Sequence, residues 1–262
     1  MRAPRPVLAA ATVGVAFIAL PVVGLLQRTP WSSLDDLLSR DSVTQPLLLS
    51  LLVSIIAALV TVLLGTPLAW ALARVDMPGR RIVRALILLP MVLPPVVGGT
   101  ALLFALGRRG LVGQWLERWF DLTLPFTTTG AVVAAGFVSL PFYVIAVEGA
   151  LESGTDDLEQ MAGTLGAGPM RVLGRITLPR LLPAMGAGTA LAWARALGEF
   201  GATITFAGNL PGRTQTLPLA TFLALESDPE EALALSLVML VVSLAVLIPM
   251  RDRWLPSRTS EQ

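Results

Sequence analysis

Six stretches of this chain are long and apolar enough to cross a lipid bilayer, and that property limits the fold more than any motif does. A hydrocarbon core about 30 Å thick takes roughly 20 apolar residues in helical form, and a helix satisfies every backbone N–H and C=O without water. The stretches fall at 7–26, 46–73, 85–107, 129–149, 182–207 and 232–250, each ending near arginine, proline or a polar cluster. They predict an all-α integral membrane protein of six transmembrane helices, with residues 1–262 as a single transmembrane domain. Charged residues make up 14% of the chain, against roughly 25% in a soluble domain. Arg2 and Arg5 precede the first stretch as in a secretory signal, but the stretch exceeds an apolar core of about 7–15 residues. No small-x-small cleavage site closes it, so a retained helix is expected.

Orientation follows from the arginines, which concentrate in cytoplasmic loops of membrane proteins. With the N-terminus inside, the inner segments hold twelve arginines and the outer ones six, which puts both termini in the cytoplasm. Outer loops 27–45 and 108–128 contain SLDDLL and GQWLERWF, whose amphipathic spacing predicts short surface helices, with Trp115 and Trp119 at the interface. The chain has no Cys and no His, which excludes disulfides, zinc or haem ligation by those side chains, and imidazole proton relays. All 19 basic residues are Arg, so a phosphate-binding loop of the GxxxxGK[ST] type is excluded. ATP-driven work by this chain would need a partner's nucleotide site.

Between the fourth and fifth stretches lies a polar loop, 150–181, containing DLEQMAGTLGAGPMRVLGRITLP at 157–179. Thr155 or Asp156 can cap a helix there, and Asp156, Asp157 and Glu159 suit its positive end. Leu158, Met161, Ala162 and Leu165 share one face, Gly166 and Gly168 permit the positive φ that stops the helix, and Pro169 fits the first turn of the next. The apolar face needs a cover, either lipid headgroups or another protein. A helix lying on lipid carries Lys or Arg on its polar face, and this one is acidic, which favours a protein socket.

The stretch resembles the cytoplasmic coupling motif of ABC importer permeases: E-A-A, three residues, G, nine residues, I-x-L-P. Gln160, Met161, Ala162, Gly166, Ile176, Leu178 and Pro179 occupy its positions with the spacing intact. Gln160 stands where Glu is usual and Met161 where Ala is usual. The family's Glu is thought to meet a cation on the ATPase subunit. Gln160 can only hydrogen-bond, unless Glu159 takes that role. LGTPLAWALARVDMPGRR (64–81), LPMVLPPVVGGTALLFALGRRG (89–110) and ARALGEFGATITFAGNLPGRTQTLPLA (194–220) look like the permease subunit of molybdate importers. The resemblance covers the chain from residue 46 onward and implies the ABC importer permease fold, functioning as a dimer of two copies. It also implies two cytoplasmic ABC ATPase subunits that bind ATP and Mg, and an external substrate-binding protein. Molybdate would enter by alternating access across the plasma membrane of a prokaryote. No catalytic residue, cofactor or metal is expected in this chain. Tungstate or sulfate is the alternative cargo. An ion-coupled carrier would need internal repeats and several buried titratable groups, and a non-transporting scaffold would have no reason to keep the coupling spacing.

Three further stretches are candidates for the pore or gate. Pro94, Pro95, Gly98 and Gly99 break the third helix, either as a kink in packing or beside an aqueous path, and the glycines would admit a neighbouring helix as at a dimer seam. Arg195 and Glu199 are spaced i, i+4 in the fifth helix, either neutralising one another or bordering the path, with an architectural role favoured for Glu199. Thr203 and Thr205, after Gly201, suit a polar path without fixed charge, or bond back into their own helix. GNLPGRTQTLP (208–218) reads as a turn-rich outer loop in which Gly208, Asn209, Pro211 and Gly212 offer a docking place for the delivering protein.

Overall fold

The computed structural model describes residues 4–153 and 156–254, and its elements are helical throughout. Among the described residues they run α1 (Arg5–Arg28), α2 (Leu34–Ser39), α3 (Asp41–Arg74), α4 (Arg80–Val92), α5 (Pro95–Leu106), α6 (Gly113–Phe120), α7 (Thr128–Glu152), α8 (Asp156–Thr164) and α9 (Pro169–Val172). A single π turn (Leu173–Thr177) leads into α10 (Leu178–Leu197), then α11 (Gly201–Phe206), α12 (Leu217–Ser227) and α13 (Pro229–Trp254). Helices α1, α3, α7 and the Pro229–Val246 part of α13 are long and apolar enough to cross a membrane. SLDDLL and GQWLERWF contribute α2 and α6, and Arg118 stacks over Trp115 at 5.4 Å.

The two other membrane-length runs are not single helices. The helix expected at 85–107 divides into α4 and α5, because Pro94 and Pro95 lack an N–H and drive Leu93 to φ −65°, ψ 136°. The helix expected at 182–207 divides into α10 and α11 at Gly198–Phe200, where Phe200 takes φ −125°. The outer loop expected at 208–218 runs into α12, which packs on α13 and α3 before the sixth stretch begins. Its apolar run is too short to span a bilayer, and it folds as a half-helix. The Leu217 N–H donates to Ser50 Oγ at 2.6 Å, about nine residues into α3, or about 13 Å from its start. From there α12 climbs back to Asp228, whose carboxylate lies 3.6 Å from Arg40.

Helices α3, α7 and α10 form the centre. Hydrophobicity drives little association between helices already in lipid, so close approach through small residues and interhelical hydrogen bonds carries the packing. Both devices converge on Tyr143 of α7. Its ring sits between Gly65 of α3 and Gly188 of α10, where an added Cβ would approach ring carbons to 2.6 Å and 3.2 Å. Its hydroxyl shares a 2.7 Å hydrogen bond with Thr66, and Thr61 pairs with Ser139 at 3.2 Å along the same seam. Helix α1 has no buried residue and leans on α13.

Candidate functional site

Loop 150–181 folds as α8, a turn, α9 and the π turn that leads into α10. Gly166 stops α8 at φ +84°, a conformation that disfavours residues with a Cβ. Gly168 does not share that role. It lies at φ −66°, ψ 154°, extended ahead of Pro169 at the start of α9. The Thr155 cap lies outside the described residues, as does the Asp156 side chain. The shared face of α8 stands uncovered: Met161 is 60% exposed and Leu165 86%. Leu158, Met161, Ala162, Leu165, Ile176 and Pro179 line an open hollow of about 450 Å³, rimmed by Arg175 and Arg180. Leu178 opens α10 immediately before Pro179.

Glu159 is not available to a partner. Its Oε2 accepts from Arg74 Nε at 2.9 Å and its Oε1 from Thr177 Oγ1 at 2.8 Å, with the Arg74 and Glu159 side chains 14% and 16% exposed. This takes Glu159 out of the acidic face expected of α8, where Asp157 stays exposed, and corrects the possibility that Glu159 replaces the motif's missing carboxylate. Gln160 remains exposed beside it. Nearby, Arg84 Nη2 reaches Glu148 at 2.5 Å and Glu152 at 3.1 Å, and Arg80 reaches Glu152 at 3.3 Å, tying α4 to the end of α7. Sequence reasoning counted Arg74, Arg80 and Arg84 only as topology markers. Their partners are 64 to 85 positions away, with no local signal to link them.

At the centre, Arg195 and Glu199 form an ion pair of 2.6 Å across the α10–α11 break, and the Glu199 side chain is 1% exposed against 28% for Arg195. The other oxygen of Glu199 accepts the Ala202 N–H at 2.7 Å, placing the carboxylate at the positive end of α11. The pair therefore fastens a helix break. Gly98 and Gly99 do not form a free seam for another copy. A Cβ on Gly99 would meet Ala202 O and Thr205 Cβ at 2.8 Å, and one on Gly98 would meet Phe137 of α7 at 3.3 Å. Gly201 likewise receives Pro95, where an added Cβ would lie 2.6 Å from Pro95 Cβ. The Pro94–Pro95 break and the Glu199 break thus pack on each other within one chain. Thr203 is buried, and the Thr205 hydroxyl donates to Gly201 O at 2.8 Å, so that hydroxyl does not face an open path.

The 208–218 segment turns at Gly208 (φ +75°) and Gly212 (φ +68°), with Leu210 N–H bonded to Thr214 Oγ1 at 2.8 Å. It is held in place: Thr128 donates to Arg213 O at 2.8 Å, and Gly212 borders a hollow of about 640 Å³ with Gln45, Leu48, Leu49 and Leu52. Pro211 is exposed, and Asn209 keeps a buried Oδ1 without a hydrogen-bond partner among the described residues. At this end of the bundle Arg40 gathers Asp36 (3.0 Å), Asp228 (3.6 Å) and Glu231 (3.8 Å). The guanidinium is held above its ordinary pKa, first by the hydrogen bond to Asp36.

Residues 61–260 match the family of binding-protein-dependent transport system inner membrane components. The chain belongs to this family. With four helices of membrane-crossing length, this inner membrane component is a multi-pass membrane protein. It is 47% identical to the molybdenum transport system permease protein ModB of Mycobacterium bovis, over 94% of this chain and 92% of that one. It is 44% identical to ModB of Escherichia coli K12, over 85% and 97% respectively. Its fold is similar to a chain of a bacterial ABC transporter involved in the import of the acidic polysaccharide alginate, with a TM-score of 0.74 and 94% of both chains covered. At 18% identity that likeness shows the fold alone.

Proposed function

We propose that this inner membrane component is the permease subunit of an ATP-driven importer that carries molybdate into the cytoplasm. The observation that carries the reading is the uncovered apolar face of α8, with its Arg-rimmed hollow, at the coupling-motif positions. The ModB relatives direct the cargo to molybdate. Four long helices and two broken ones make six spans, both termini lie in the cytoplasm, and two copies enclose the path. Each copy offers its α8 face to one ATPase subunit, which holds ATP and Mg. An external binding protein delivers the oxyanion near the 208–218 turn, consistent with the family's dependence on binding proteins. ATP binding draws the ATPase subunits together, the α8 segments follow, and the path exchanges inward for outward opening. This chain performs no bond chemistry.

The α8 contact is apolar at its centre and cationic at its edge. A socket with an apolar floor and acidic flanks fits it, because Gln160 offers hydrogen bonds and Arg175 and Arg180 supply charge. The reading is tested by uptake of radiolabelled molybdate into vesicles holding this chain, its ATPase and its binding protein. Uptake that requires ATP and is inhibited by tungstate but not by sulfate is expected. Inhibition by sulfate at equal concentration assigns the other oxyanion, and uptake driven by an ion gradient without the ATPase overturns the reading.

A further inference from the structure

Helix α8 runs into a glycine-punctuated turn. Gly166, in the left-handed conformation, and Gly168, extended, follow it. Its backbone rests on α9 and the π turn, and a cavity of about 300 Å³ opens between Trp70 and Arg74 of α3 and the segment from Glu159 to Thr177. A force applied to α8 would be absorbed in that turn unless something else ties the helix to the bundle. The Glu159 carboxylate supplies that tie. One oxygen is held by Arg74 at the end of α3, and the other by Thr177 at the end of the π turn, from which α10 runs on. Arg74 also donates to Leu151 O at 3.0 Å, which brings in the end of α7. One partly desolvated ion pair therefore joins α8 to the three helices that form the centre, and at 14% and 16% exposure it is screened less than a surface pair. π turns occur often at functional sites, and this one places the Thr177 hydroxyl against the carboxylate.

We propose that Glu159 is a positioning residue for transport: it makes α8 a rigid extension of α3, α7 and α10, so that ATPase motion reaches the α10–α11 break and is not lost in the loop. The inference rests on the importer reading above. Within it, Glu159 works inside the permease and not against the ATPase.

The test uses the complete complex in vesicles and reads three quantities: ATPase co-purified per permease, ATP hydrolysed, and molybdate imported per ATP. In Glu159→Gln and Arg74→Gln, co-purification and hydrolysis are expected to persist while molybdate per ATP falls about tenfold, within the usual range of coupling between sites. The exchange Glu159→Arg with Arg74→Glu is expected to recover part of the ratio. A variant that only lowered the amount of folded protein would reduce uptake and hydrolysis together and leave the ratio unmoved. Thr177→Val, nearly isosteric, removes one of the two ties and carries the same test where Glu159→Gln fails to reach the membrane. An unchanged ratio in these variants overturns the proposal. So does loss of the ATPase from assembled Glu159→Gln permease, which would put the carboxylate in the dock itself. Failure of the importer reading would show differently, as an absence of ATP-dependent uptake in the unaltered complex.

Discussion

Glu199 and Arg195 are the clearest case of a charge that membrane burial makes structural. Spacing alone paired them, but it did not show that the helix stops between them or that the second carboxylate oxygen receives the Ala202 N–H. Breaking a buried pair leaves an uncompensated charge, at a cost of roughly 3–5 kcal/mol. Glu199→Ala is therefore expected to lower the thermal unfolding midpoint in detergent markedly. Glu199→Gln retains an acceptor for Ala202 and is expected to lose less. Equal midpoints for the two variants would show that capping of α11 contributes nothing. Glu159 teaches the opposite lesson. Its neighbours in sequence suggested an outward role, and only the return of α3 beside the loop reveals Arg74. No pattern within α8 encodes a partner that far away in the chain.

At the scale of elements, periodicity located α8, and glycine with proline chemistry located its end. Gly166 combines φ +84° with empty space around its Cβ direction, so a substitution there acts through the backbone and not through a clash. A β-branched residue in the left-handed region is expected to cost about 1–2 kcal/mol, whereas Asn tolerates it. Gly166→Val should abolish most ATP-dependent uptake at normal membrane levels, and Gly166→Asn should retain it. Similar uptake in both variants would mean that this turn does not position α8. The helix breaks were only half legible. Pro46, Pro67 and Pro141 lie inside unbroken helices, so a single proline is not a signal, whereas the Pro94–Pro95 pair is. The α10–α11 break follows from Gly198, Gly201 and a capping carboxylate acting together. The α12 half-helix was hidden by its length, since an apolar run too short to span reads as a loop. The glycines intended for a second copy are filled from within the chain, because Gly99 and Gly201 admit one broken helix against the other.

Across the whole molecule the account requires six crossings with α12 dipping in and returning. Topology reporters fused after Arg74 and after Glu152 are expected to report the cytoplasmic side, and those after Arg28, Phe206 and Asp228 the outer side. Opposite sides for Phe206 and Asp228 would make α12 a crossing and overturn the six-span count. The uncovered hydrophobic surface of α1 and the outer faces of α3 suits lipid or a second copy, while that of α8 lies at the arginine-rich end of the bundle. That placement is the central claim: the polar loop is where ATP-driven motion enters a chain that, without lysine, carries no phosphate-binding loop of the GxxxxGK[ST] type. The chain contains no cysteine, so Leu165→Cys provides a single label at the most exposed apolar position of this face, just past the end of α8. The decisive measurement is its reaction with a membrane-impermeant maleimide in inside-out vesicles, with and without the ATPase subunit. The account predicts ready labelling of the permease alone and strong protection in the complex. Labelling that the ATPase leaves unchanged would contradict it.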